Sequence, residues 1–231
     1  MKALVLLSGG LDSATCLSVA VNKFGTSNVA TVSIFYGQRH DKELHSAKAV
    51  AEFYGVNHYE LDLSAVFEQS NCPLMARSTR PIEHKSYAEQ TAHGKASTYV
   101  PFRNGLMLST AASFAGSIFE DDSVEIYIGA HADDAAGNAY ADCRADFIRT
   151  LDEAISTGTY GKIHIVAPFV DQTKADIVKA GLELDTPYEL TWSCYEGGER
   201  PCGQCATCLD RAKAFKLNGV ADPAEVKSCT R

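Results

Sequence analysis

Apolar residues fall into short runs along the chain: "ALVLL" at 3–7, "VATVSIF" at 29–35, "HYELDL" at 58–63, "VEIYIGA" at 124–130 and "IHIVAP" at 163–168. Their length and β-branched content predict strands. Between them, helical patterns cover 12–24, 41–54, 104–117, 144–156 and 173–181. Strands alternating with helices predict an α/β fold, a parallel sheet covered on both faces. Such sheets bind ligands at the carboxyl ends of their strands, and the polar clusters singled out below each follow a strand. No internal repeat or low-complexity tract interrupts the pattern.

Two stretches leave this rhythm. Residues 68–103 are polar and aperiodic. From Ser70 to Arg103 they carry Arg77, Arg80, Lys85, Lys95 and Arg103 against Glu83 and Glu89. A long basic loop in a compact domain is expected to be a lid over an anionic ligand. From Pro187 the composition shifts again, to "TWSCYEGGERPCGQCATCLDR" and a short helix at 209–217. The expected organisation is a nucleotide-binding domain over 1–186 and a C-terminal knuckle and helix over 187–231.

Composition narrows the function. The 231 residues are 45% hydrophobic and 22% charged, with net charge −8 and a sequence pI near 5.3. A nucleic-acid binder would carry a basic face, so a small-molecule substrate is expected and nucleic acid is not. No apolar run reaches the ~18 residues of a membrane span. "MKALVLLSGG" is too short for a signal-peptide core, which predicts a cytoplasmic protein without a membrane partner.

The first strand runs into Ser8-Gly9-Gly10-Leu11-Asp12-Ser13 and then a helix. Side-chain-free Gly9 and Gly10 let backbone N–H groups wrap an anion. Ser8 and Ser13 add hydroxyls, and the helix N-terminus adds partial positive charge. The loop has neither a P-loop lysine nor a dinucleotide fingerprint. Asp12 would repel a bare phosphate. It fits as a helix N-cap or through a bridging Mg²⁺ on a triphosphate. A plain capped strand-to-helix turn is the simpler alternative.

S-G-G-x-D-S after a first strand resembles the pyrophosphate loop of the N-type ATP pyrophosphatases, which grip the β,γ-phosphates while a substrate oxygen attacks the α-phosphate. With "FYGQRH" (35–40), "VPFRN" (100–104), "YADCR" (140–144) and the cysteine knuckle, the chain resembles the QueC family within that superfamily over nearly its whole length. The resemblance implies a Rossmann-like sheet of the adenine nucleotide alpha hydrolase type with a small zinc-binding appendage. It implies conversion of 7-carboxy-7-deazaguanine, free ammonia and ATP to a nitrile, and it allows a homodimer. ATP would lie along Leu7, Ser8, Gly9, Gly10, Leu11, Asp12, Ser13, Ala14, Thr15, Cys16 and Leu17. Asp12, Arg39, Arg103 and Lys174 would serve the chemistry. Asp133, Asp142 and Arg144 would hold the deazaguanine, with Phe102 or Tyr140 stacking on its ring and Asp134 left as a solvated residue. The chain departs from the family's Pro-Gly-Arg-Asn at Phe102 and from its Gly-Tyr-Pro-Asp at Ala139-Tyr140-Ala141-Asp142.

Of eight cysteines, four fall at Cys194-x7-Cys202-x2-Cys205-x2-Cys208. That spacing suits a Cys₄ zinc site. An iron–sulfur cluster is the competing reading of C-x2-C-x2-C, and the resemblance favours zinc. His40 and His45, read as lying on one helix, are spaced wrongly for a shared metal. Two other functions compete: a tRNA thiolase using Cys143 as sulfur carrier, which the acidic charge disfavours, and a nucleotide sensor without turnover, which leaves "YADCR" unexplained.

Overall fold

The computed structural model describes residues 1–91, 95–135 and 139–226. Cys229, for which the sequence suggests no role, lies outside the described residues, as do 92–94 of the basic segment. Five strands, β1 Lys2–Leu6, β2 Val29–Phe35, β3 Asn57–Asp62, β4 Val124–Tyr127 and β5 Ile163–Val166, form one sheet in the order β3-β2-β1-β4-β5. Every pairing is parallel, with Val5 between Thr31 and Tyr127. The strand order reverses beside β1, so the strand feeding the glycine loop sits at the topological switch point, where such sheets open a ligand crevice.

The helices are α1 Leu11–Phe24, α2 Lys42–Tyr54, α3 Tyr87–Thr91, α4 Arg103–Ile118, α5 Ala132–Ala135, α6 Ala145–Gly158, α7 Lys174–Glu183, α8 Ala206–Leu217 and α9 Pro223–Val226. Predicted and observed boundaries of α1, α2, α4, α6 and α7 agree within two residues, and α8 starts three residues before the predicted 209. The short α3, α5 and α9 carry too little periodicity to predict. Burial divides the apolar residues into two layers about the sheet. Leu11, Ala14, Leu17, Ile177 and Phe215 belong to one, and Leu108, Ala111, Ala115, Ile148 and Ile155 to the other. Tyr188, Ala214 and Phe215 tie the stretch after 187 into the first layer. Buried Arg211 reinforces this with paired hydrogen bonds to Asp222 (2.6 and 2.9 Å) and one to the Tyr188 carbonyl.

A third apolar cluster joins Phe67, Cys72, Leu74, Met75, Ile82 and Val100 to the knuckle cysteines. Among its described residues the basic segment is therefore packed against the knuckle through Cys72, Leu74, Met75, Ile82 and Val100, which are too widely spaced to show periodicity. Among the described residues no helix is long and apolar enough to cross a membrane.

Candidate functional site

Above the carboxyl ends of β1, β2 and β4 lies a cleft with a volume of about 230 Å³, lined by Leu7, Ser8, Gly10, Asp12, Ser13, Tyr36, Arg103, Asp134 and Lys174 among others. Its floor is the glycine loop. Gly10 is the N-cap of α1 and supplies no side-chain cap, so the first-turn N–H groups stay available to an anion. Asp12 thus lies inside the first turn, and the N-cap alternative for it does not hold. Ser8 and Ser13 hydroxyls sit 3.0 Å apart, and Ser13 donates to the Gly10 carbonyl.

Gly9 adopts φ +84°, and a Cβ there would lie 2.0 Å from the Glu43 carbonyl oxygen and 2.7 Å from the Ala47 nitrogen. Both are α2 backbone, which cannot step aside cheaply. Its own carbonyl accepts from the Trp192 N–H at 2.9 Å. Gly9→Ala should therefore lower the melting temperature by several degrees, reflecting about 2–4 kcal/mol of strain and displaced backbone. Thermal denaturation checks this. At Gly10 the nearest atoms are 3.4 Å or more away, so Gly10→Ala should melt like the parent.

Within the nucleotide stretch read from sequence, Leu7, Ser8, Gly10, Asp12 and Ser13 line the cleft. Leu11, Ala14, Cys16 and Leu17 pack into the core, and Thr15 bonds the Tyr188 hydroxyl at 2.8 Å. Gly9 shapes the loop from beneath.

Lys174 opens α7 and is buried. Its ammonium stands 3.4 Å from Asp12 Oδ2 and 3.9 Å from Asp210 Oδ2. Burial alone would lower its pKa, but attraction to Asp12, Asp134 and Asp210 outweighs this and raises it above the ordinary lysine value. The group is a fixed cation beside the loop. His131, fully buried, lies 3.3 Å from Asp134 and 3.9 Å from Asp12, without a hydrogen-bonding geometry to either. Asp12 Oδ1 is buried and has no hydrogen-bond donor among the described residues. That donor-hungry oxygen fits a divalent cation carried on a triphosphate.

Adjacent aspartates diverge. Asp133 accepts from the Lys174 backbone N–H at 2.8 Å and does not line the cleft. Asp134, one position along α5, faces the cleft, and burial raises its pKa despite His131 and Lys174. Asp142 is buried and accepts from the Asn104 N–H at 2.9 Å, which tethers the start of α4. Arg144 forms a two-point ion pair with Asp146 in a separate shallow depression. Arg39 donates to the Arg80 carbonyl at 2.5 Å, away from the cleft. Arg103 faces the cleft, 3.2 Å from the Tyr36 hydroxyl and over its ring.

Several lining residues, Tyr87, Tyr195 and Glu43 among them, carry no sequence signal, whereas Tyr140 stands in "YADCR". Tyr87, Tyr140 and Tyr195 form an aromatic wall, with the Tyr87 and Tyr195 hydroxyls 2.7 Å apart and the Tyr87 and Tyr140 rings edge to face. Glu43 lines the opposite approach, and burial pushes its carboxyl up to about 7 against the pull of Arg103. Phe102 stays outside the cleft. It holds a left-handed φ of 53°, with its ring over Gly105 and edge-on to Phe147 at 5.7 Å. A glycine takes that conformation freely, so the departure from Pro-Gly-Arg-Asn replaces backbone freedom with aromatic packing. Cys143 lines the cleft, but burial first and then Asp134 and Asp142 push its thiol well up. A sulfur carrier needs a thiolate, and these surroundings disfavour one.

The Sγ atoms of Cys194, Cys202, Cys205 and Cys208 all lie within 4.8 Å of one another and could hold a metal ion. Four sulfurs about a tetrahedral zinc would be spaced about 3.8 Å apart, so the donor set fits with little adjustment. Backbone N–H groups of Glu196 and Cys202 point at Cys194 Sγ, and those of Gln204 and Cys205 at Cys202 Sγ. Such contacts stabilise metal-bound thiolates. His40 precedes α2 rather than lying on it, and its Nε2 sits 3.1 Å from the Cys194 carbonyl. The knuckle forms one wall of the cleft through Trp192, Ser193, Tyr195 and Thr207.

A family model described as "Queuosine biosynthesis protein QueC" matches residues 2–219. The protein named 7-cyano-7-deazaguanine synthase in Archaeoglobus fulgidus is 42% identical, with 96% of this chain and 89% of that one covered. Its namesake in Pseudoalteromonas atlantica is 39% identical, covering 97% and 98%. A solved NMN synthetase from Francisella tularensis aligns over 98% of this chain and 81% of its own at 14% identity and a TM-score of 0.47, a loose likeness of architecture. Matched from its first strand to the end of its last long helix, the chain belongs to the QueC family of queuosine-biosynthesis proteins.

Proposed function

We propose that the protein converts 7-carboxy-7-deazaguanine and ammonia to 7-cyano-7-deazaguanine, using two ATP. The observation that carries this reading is the uncapped N-terminus of α1 opening into the same cleft as Lys174, Arg103 and Asp134. One cleft thus offers a phosphate cradle, fixed cations and a carboxylate for a base edge. The relatives named for this product support the same choice.

In this reading the α1 N–H groups and Lys174 hold the phosphates of ATP, and a substrate carboxylate oxygen attacks the α-phosphate; Asp12 would hold a Mg²⁺ carried in with the triphosphate, which would supply charge neutralisation. Pyrophosphate leaves and an acyl-adenylate forms. Ammonia adds to the acyl carbon and expels AMP, giving the amide and releasing a proton. The amide oxygen then attacks the α-phosphate of a second ATP and expels its pyrophosphate. Loss of both amide N–H protons and of AMP leaves the nitrile. Charge neutralisation and positioning carry the rate. Asp134 is suited to accept from the N–H edge of the deazaguanine, as carboxylates do with base donors. The tyrosine wall supplies ring contacts, and Arg103 meets the substrate carboxylate or the leaving phosphates. The cysteine knuckle holds a structural zinc, and the reaction takes place in the cytoplasm.

Both carboxylate oxygens leave on AMP in this scheme. Substrate labelled with heavy oxygen in its carboxylate, with ATP and ammonium, should yield two labelled AMP per nitrile by mass spectrometry. Label in free phosphate, with unlabelled ADP released, would mean attack at the γ-phosphate and would sink the reading. Sulfur transferred to RNA with label-free AMP would hand the site to a thiolase.

A further inference from the structure

Asp210 has no part in the scheme above. It sits on α8, two residues after Cys208 and five after Cys205, yet its carboxylate reaches Lys174 on α7. Its Oδ2 is shut off from solvent and has no hydrogen-bond donor among the described residues. A carboxylate oxygen in that state is answered only by nearby positive charge, and the Lys174 ammonium at 3.9 Å supplies it. Asp12 contacts the same ammonium at 3.4 Å. The charged groups around Lys174 are Asp12 from α1, Asp134 from α5 and Asp210 from α8, with His131 against Asp12 and Asp134. A second tie joins the two helices, since Asn218 at the end of α8 donates to the Ala175 carbonyl at 2.9 Å.

We propose that Asp210 is a positioning residue, which fixes the Lys174 ammonium beside the glycine loop and makes its placement depend on the metal knuckle from which α8 starts. The proposal rests on the reading that Lys174 meets the phosphates of ATP. Lysine is a flexible point charge. With Asp12 alone to hold it, the ammonium would follow whichever oxygen Asp12 and its cation left free. A second carboxylate on a different helix limits that freedom before substrate arrives, which is what preorganised charge requires.

The test compares Asp210→Asn and Asp210→Glu with the parent, as full-length zinc-loaded protein. One measurement is kcat and KM for ATP from AMP release with 7-carboxy-7-deazaguanine and ammonium. The other is the rate at which acetyl N-hydroxysuccinimide modifies Lys174 without substrates, read by mass spectrometry against exposed Lys48. In Asp210→Asn, Lys174 should acetylate about fivefold faster, because one of its stabilising charges is gone. Its kcat should fall about tenfold with KM within about threefold, the pattern of a lost transition-state contact. Zinc content and melting temperature should match the parent, and Asp210→Glu should restore most of both effects. Unchanged Lys174 reactivity in Asp210→Asn would overturn the proposal. So would a kcat loss that tracks zinc loss, which would make Asp210 merely structural. If the parent releases no AMP with this substrate, the proposed reaction fails while the acetylation rates still decide the role of Asp210.

Discussion

Lys174→Met should cost about 10²–10³-fold in kcat, the usual loss when one preorganised donor to developing charge is removed. Methionine keeps the length and apolar stem, so the change isolates the ammonium. It leaves the buried oxygens of Asp12 and Asp210 without their cation. The variant should therefore also lose about 3–5 kcal/mol of stability, and kcat must be measured at a temperature where it remains folded. The raised pKa of Lys174 adds a pH signature. A lysine whose pKa is higher folded than unfolded contributes stability that is fully present below the unfolded value, ordinarily 10.5, and is lost only as pH rises through the folded value. The parent should thus show no step in activity or stability from this group at neutral or mildly alkaline pH. A Lys174→Met enzyme with parental kcat would remove the lysine from the chemistry.

Cys205→Ser should abolish metal binding and collapse the C-terminal wall of the cleft. Structural zinc contributes on the order of 10 kcal/mol to the fold that encloses it, and Cys205 is fully buried at the start of α8. Trp192, Ser193, Tyr195 and Thr207 reach the cleft from the same knuckle, so loss of the metal should abolish turnover as well as lower the melting temperature. Elemental analysis should give one zinc per chain in the parent and a small fraction of that in the variant. A brown parent protein containing iron and labile sulfide would overturn the assignment of zinc.

The strands, the glycine loop and the knuckle were legible because each is written in neighbouring residues. Period and length mark the strands. Four cysteines within 194–208 must converge if a tetrahedral ion is to bind them. The substrate side of the cleft was less legible. Asp133 and Asp134 are adjacent, and one residue of helix turns a side chain by about 100°. The sequence favoured Asp133 for the base, whereas Asp133 holds the α7 N-terminus and Asp134 faces the cleft. The Asp142-Cys143-Arg144 triplet points in three directions, to the Asn104 N–H, into the cleft and toward Asp146. His131, Asp210, Tyr87 and Tyr195 had no readable spacing, because they meet from segments far apart in the chain.

By itself the sequence determined the parallel α/β architecture, the glycine turn at Ser8 to Ser13 and the clustering of four cysteines, since periodicity, glycine freedom and close spacing are local properties of the chain. Only the tertiary structure decided that Lys174 is buried between Asp12 and Asp210, that Asp134 rather than its neighbour enters the cleft, and that the metal knuckle forms one of its walls. Those outcomes depend on how α1, α5, α7 and α8 pack around one end of the sheet, and the direction of a side chain across such a junction is set by packing and charge balance among all of them.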